Sequence, residues 1–128
     1  MIYLDTSVAL AHLLAEERVP PSSLWEVPLT SSRLLEYEMW TRIHRRRLAA
    51  SHGEAVRALL ARIALVELAP PVLARALEPF RKPVRTLDAL HLASMEFLRG
   101  QGQAVELASY DEWLSAAARD LGIDILAL

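Results

Sequence analysis

The sequence predicts an α/β fold: a three-layer α/β/α sandwich on a parallel sheet of about five strands. Two observations lead there. Short apolar runs rich in β-branched and aromatic residues alternate with longer stretches whose apolar residues recur at helical spacing, in the order strand, helix, strand, helices, strand, helices, strand, helix, strand. Such alternation makes successive strands parallel and lays the connecting helices over both faces of the sheet. The second observation is size: 128 residues with a hydrophobic fraction of 53% suffice for one sizeable core, so residues 1–128 read as a single domain.

Taken in order, Ile2-Tyr3-Leu4 has the character of a buried strand, and from Ser7 the spacing of Val8, Leu10, Ala11 and Leu14 suits a helix running to about Glu17. Asp5 therefore stands at a strand-to-helix turn. Val19 to Ser23 breaks the pattern, and Ser22 or Ser23 suits the cap of a short helical turn around Leu24-Trp25. Val27-Pro28-Leu29-Thr30 reads as a brief second strand. Ser31 or Ser32 then caps a helix from Arg33 to about Ala49, and His52-Gly53 separates it from a partner helix over Glu54 to Ala64. Leu65 to Leu68 is the third strand, closed by Pro70-Pro71, and Val72 to Glu78 a short helix ended by Pro79. A basic loop with Arg81, Lys82 and Arg85 leads to Thr86, the cap of a helix over Leu87 to Leu98 that stops at Gly100 and Gly102. Ala104 to Ala108 is the fourth strand. In Ser109-Tyr110-Asp111-Glu112, a capping-box pattern, Ser109 is the expected cap and Asp111 is left free in the first turn. Trp113 to Leu121 is the last helix, closed by Gly122 before a final strand, Ile123 to Leu126.

Composition narrows the function. A net charge of −2 argues against a uniformly basic nucleic-acid binder, but thirteen of the fourteen basic residues are arginine, which suits bidentate phosphate contacts. With four acids taken up by metal, the remaining charge would be positive. The absence of cysteine excludes disulfides and thiolate metal sites. No basic leader precedes the first strand and no apolar run reaches about 18 residues, so a cytoplasmic protein with no membrane association is expected.

Four carboxylates occupy comparable places: Asp5 after the first strand, Glu38 in the helix after the second, Asp88 in the first turn of its helix, and Asp111 after the fourth strand. Each has a plain alternative. Asp5, Asp88 and Asp111 suit helix caps and dipoles, and Glu38 with Arg42 suits an i,i+4 ion pair. His91, one turn after Asp88, reads as a packed, hydrogen-bonded histidine rather than a ligand, and Trp25, Trp40 and Trp113 as core or interface anchors rather than base-stacking platforms. Together the acids point elsewhere. Ligands of open parallel sheets bind at the carboxyl ends of the strands, and converging carboxylates need a cation to balance them. Hard oxygen ligands select Mg²⁺ or Mn²⁺ over zinc, and the chemistry of such sites is phosphoryl transfer. Arg42 and Arg45, on the helix that carries Glu38, are candidate phosphate contacts, with a solvated helix face as the alternative.

Four stretches resemble the PIN-domain ribonucleases, and in size and spacing the VapC-type toxins of toxin–antitoxin pairs. They are Tyr3-Leu4-Asp5-Thr6-Ser7, Ser32 to Glu38, Thr86-Leu87-Asp88-Ala89-Leu90-His91-Leu92-Ala93, and Ser109-Tyr110-Asp111 with Ala116-Ala117 and Leu121-Gly122. The third is the most specific, and in the second Glu36 competes with Glu38. The resemblance implies an acidic pocket binding Mg²⁺ or Mn²⁺ through Asp5, Glu38, Asp88 and Asp111, supported by a hydroxyl at Thr6 or Ser7. Glu38 alternatively orients the water. The resemblance further implies endonucleolytic RNA cleavage by metal-activated water leaving 3′-hydroxyl and 5′-phosphate ends, a homodimer, and silencing by a cognate antitoxin. A housekeeping PIN nuclease of RNA maturation or decay and a non-catalytic α/β interaction module are the alternatives.

Overall fold

Alternation along one strand divides the molecule into layers. In β1 (Ile2–Leu4), Leu4 packs into one core with Val8, Leu35, Met39 and Val56, while Tyr3 packs into another with Leu92, Met95, Leu107 and Leu114, because neighbouring side chains on a strand point to opposite faces. The computed structural model describes residues 1–128. After β1 come α1 (Thr6–Leu13), a 3₁₀ turn (Ser22–Glu26), β2 (Leu29–Ser32), α2 (Leu34–Arg45), α3 (Ala49–Leu60), β3 (Ile63–Val66), α4 (Pro70–Ala76), α5 (Thr86–Gly100), β4 (Glu106–Ala108), α6 (Glu112–Asp120) and β5 (Asp124–Ile125). The five strands form one parallel sheet in the order β3-β2-β1-β4-β5, as the alternating pattern predicts. Helices α1, α2 and α3 supply the first core; α5 and α6 supply the second. No helix is long and apolar enough to cross a membrane.

Chain order runs outward from β1 through β2 to β3 and then crosses to β4 on the other side of β1. The carboxyl ends of β1 and β4 thus flank the switch point, where the turns leaving the sheet diverge and open a crevice. The Asp5 N–H still bonds Ala108 O at 2.9 Å, so Asp5 leaves the sheet directly beside the end of β4.

Several boundaries differ from the sequence expectation, each for a local reason. β2 starts at Leu29 and includes Ser31 and Ser32, since Pro28 has no N–H to give a ladder. Its hydroxyls are satisfied inside the sheet: Thr30 Oγ1 donates to Ala64 O (2.8 Å) and Ser31 Oγ to Leu4 O (2.7 Å). Ser32, expected as a cap, ends β2 and accepts from the Leu34 N–H at 3.0 Å, while the N-cap position of α2 is Arg33, which makes no side-chain capping bond. Pro70-Pro71 opens α4 rather than closing a strand, a position where proline loses no helical hydrogen bond. Helix α1 ends at Leu13, short of Glu17, ahead of a left-handed Ala15 at φ 48°.

The α2–α3 reversal falls at Arg47, left-handed at φ 56°, instead of His52-Gly53. Gly53 lies inside α3, buried beneath Trp40. A β-carbon there would meet Trp40 at 3.6 Å and Arg57 at 3.5 Å, ordinary contact distances. Gly53→Ala is therefore expected to stabilise the protein by about 0.5–1 kcal/mol through lower unfolded-chain entropy, read as a higher urea midpoint at unchanged slope.

Candidate active site

The turns that leave β1 and β4 are tied to one another before any ligand is considered. Ser7 Oγ donates to Asp5 Oδ2 (2.6 Å) and accepts from the Tyr110 N–H (3.0 Å). Ser109 Oγ donates to the same Asp5 oxygen (2.8 Å) and accepts from the Asp111 N–H (2.9 Å). Asp5, 6% exposed, is also the N-cap of α1, taking the Ser7 N–H at 3.4 Å. The cap of α6 is Asp111, whose Oδ1 accepts from the N–H groups of Trp113 (2.9 Å) and Leu114 (3.1 Å). This corrects the capping-box expectation. Ser109 serves the network between the two turns, and Asp111 is anchored.

Glu38 arrives from α2. Its Oε1 accepts from Thr6 Oγ1 (2.9 Å) and from His91 Nε2 (2.5 Å). A carboxylate only accepts, so Nε2 carries the proton on that side, while Nδ1 meets the Tyr3 hydroxyl at 2.7 Å. Burial pulls the His91 pKa down, but the Glu38 hydrogen bond and charge outweigh it and leave it raised. Burial also drives the Tyr3 pKa far up, keeping its hydroxyl protonated. His91, 1% exposed, is thus the packed, hydrogen-bonded histidine that was expected, with the further task of joining the second core to Glu38. Glu36 pairs with Arg33 at 3.6 Å instead. No ion pair joins Glu38 to Arg42.

Asp88, 8% exposed, comes from the first turn of α5. Arg85 bridges two acids: its Nε donates to Asp88 Oδ2 and its Nη2 to Asp111 Oδ2, each at 3.0 Å. Burial raises the Asp88 pKa, and Arg85 pulls against that shift. The same two acids raise the pKa of Arg85.

All four acids singled out in the sequence line one cavity of about 620 Å³, together with Thr6, Ser7, His91, Tyr110 and the guanidinium-bearing Arg18, Arg42 and Arg85. Arg45 lies in an adjoining cavity that shares Thr6, Glu38 and Arg42. The scaffold holds one oxygen each of Asp5 and Glu38, and Arg85 holds one of Asp88, so Asp5 Oδ1, Glu38 Oε2 and Asp88 Oδ1 have no protein partner. That is the donor chemistry of a hard divalent cation. In this conformation no three of the acids and histidines are close enough to ligate one ion, and Arg85 occupies the space between two of them. A cation claiming Asp88 and Asp111 together requires the guanidinium to leave.

Ser109 and Arg85 join the site without a sequence signal of their own for that role. Ser109 is marked only by its place two residues before Asp111. Arg85 lies three residues before Asp88, an i,i+3 pair, but its bond to Asp111 crosses the fold.

The PIN domain family matches residues 2–127. No curated protein sequence matches the chain. Among solved structures, VapC20 of Mycobacterium tuberculosis, a sarcin–ricin-loop-cleaving toxin, is similar with a TM-score of 0.67 at 22% identity, over 91% of this chain and 95% of that one. At that identity the likeness is one of fold.

Proposed function

The chain belongs to the PIN-domain family, and from that premise we propose that it is a Mg²⁺- or Mn²⁺-dependent endoribonuclease acting as the toxin of a toxin–antitoxin pair. The observation that carries the reading is the convergence of Asp5, Glu38, Asp88 and Asp111, from four separate segments, on one cavity at the switch point of the sheet. Caps and surface pairs alone need no such meeting, and Arg85 balances only Asp88 and Asp111, leaving the repulsion with Asp5 and Glu38 unbalanced without a bound cation. The fold shared with a sarcin–ricin-loop-cleaving toxin supports the toxin assignment.

The four carboxylates would hold the cation, which when bound supplies a lowered pKa for an attacking water and stabilises charge on the phosphate and leaving oxygen. The chain's own groups do the rest. Ser7 and Ser109 fix Asp5 by Oδ2 and leave Oδ1 for the metal. Thr6 and His91 fix Glu38 by Oε1, so Oε2 is the atom that ligates or orients water. Arg18, Arg42 and Arg85 line the cavity as phosphate contacts, with Arg45 beside them for the flanking strand. Homodimer formation belongs to the same reading and is supported by the groove where Leu73 and Leu77 lie exposed. A cognate antitoxin would silence the enzyme.

Total RNA incubated with the protein in Mg²⁺, Mn²⁺ or EDTA tests the reading. Discrete cuts with 5′-phosphate ends are expected in either metal and none in EDTA. Undiminished cleavage in EDTA, or intact RNA in both metals, refutes it.

A further inference from the structure

Trp113 is placed unlike the other two tryptophans. Trp25 and Trp40 pack against the first core, whereas Trp113 is 77% exposed. Single exposed apolar residues are common and need no explanation by themselves. This one lines a cavity of about 370 Å³ with Pro83, Val84, Arg85 and Asp88, and the last two also line the acidic cavity. The two cavities are therefore neighbours across one guanidinium and one carboxylate. Trp113 is also held in place, since its backbone N–H bonds Asp111 Oδ1 at 2.9 Å. An indole with two side-chain torsions, on a backbone fixed by a site carboxylate, loses little entropy on stacking.

We propose that this second cavity is a nucleobase subsite, in which Trp113 stacks on an unpaired base of the RNA strand next to the phosphate held at the acids. The inference rests on the ribonuclease reading and deepens it. Pro83 and Val84 give the cavity an apolar wall, while Arg85 offers a planar cation suited to phosphate or to a base face. Arg81, exposed in the same loop, adds positive charge along the path of a strand, while Lys82 is paired with Asp120 at 3.6 Å. Stacking is tolerant of sequence because every base has a π-face, so the subsite favours unpaired over paired RNA rather than one base over another. The guanidinium and the continuity with the acids favour RNA over a protein partner here.

The test uses a short single-stranded RNA spanning a mapped cut, and the same strand with an abasic ribose at each position in turn. Trp113→Ala is expected to raise KM about tenfold with kcat nearly unchanged; Trp113→Phe should restore most of the loss and Trp113→Leu should not. At one position beside the cut, the abasic strand should cost the intact protein a similar factor and cost Trp113→Ala nothing further. An unchanged KM in Trp113→Ala, or abasic penalties equal in both proteins at every position, overturns the subsite. So does lost self-association with unchanged cleavage, which assigns the surface to a second copy. If the intact protein cleaves no RNA, the ribonuclease reading itself falls and takes the subsite with it.

Discussion

Asp5→Asn is expected to lower RNA cleavage by about a thousandfold or more while leaving the fold intact. The reasoning turns on the two oxygens of Asp5. Oδ2 takes the Ser7 and Ser109 hydroxyls and caps α1, and an asparagine carbonyl can accept all three bonds, asparagine being as good an N-cap as aspartate. Oδ1 has no protein partner and becomes an amide NH₂, which donates and cannot ligate a cation. Metal-borne stabilisation of phosphoryl transfer amounts to several kcal/mol, and each 1.4 kcal/mol is tenfold in rate. The substitution thus separates the cap from the site within one residue. Melting within about 1 kcal/mol of the parent, together with lost cleavage, is the expected pair of results. Undiminished cleavage in Mg²⁺ would show that Asp5 only caps its helix.

What the sequence discloses of this site follows from where its information is local. The order of elements is legible because each strand and helix carries its own period, and the acids are legible because each stands just after a strand or within the first turns of a helix. That β1 and β4 are neighbours, which brings Asp5 and Asp111 together, is a fact of the sheet order and not of any local pattern. Boundaries fail where a residue type has two uses. Ser31 looks like a cap, yet its hydroxyl donates to Leu4 O inside the sheet. Gly53 looks like a helix stop, yet it lies inside α3, where a β-carbon would make only ordinary contacts with Trp40 and Arg57. Ser109 and Asp111 exchange their expected roles because Ser109 is drawn to Asp5, 104 residues away in sequence.

Pairings across the fold have no sequence period at all. The chain from Tyr3 through His91 to Glu38 spans β1, α5 and α2, and nothing in the neighbourhood of any of the three residues announces it. The same holds for half of the bridge made by Arg85. Its bond to Asp88 is an i,i+3 contact readable from spacing, while its bond to Asp111 exists only because the loop before α5 passes the turn before α6.

Arg85 is where these local and tertiary facts meet in one measurable consequence. The guanidinium stands between two carboxylates that a divalent cation would share, so cation and arginine compete for Asp88 and Asp111. Arg85→Gln removes the competitor and is expected to tighten Mn²⁺ binding, measured by calorimetry without RNA, by about tenfold; the gain is modest because the arginine is largely exposed and its ion pairs are screened. Cleavage should move the other way. On the proposed reading Arg85, once displaced, meets the charge that develops on the phosphate, and losing such a donor costs roughly a hundredfold in kcat. Tighter metal with slower turnover is a combination that simple damage to the site does not produce, since damage weakens both. Arg85→Lys keeps the charge but lacks the fork that spans both acids. It should bind Mn²⁺ more tightly than the parent and cleave faster than Arg85→Gln. Unchanged Mn²⁺ affinity in both variants would mean that the arginine leaves the acids at no cost, and that the bridge does not restrain metal entry.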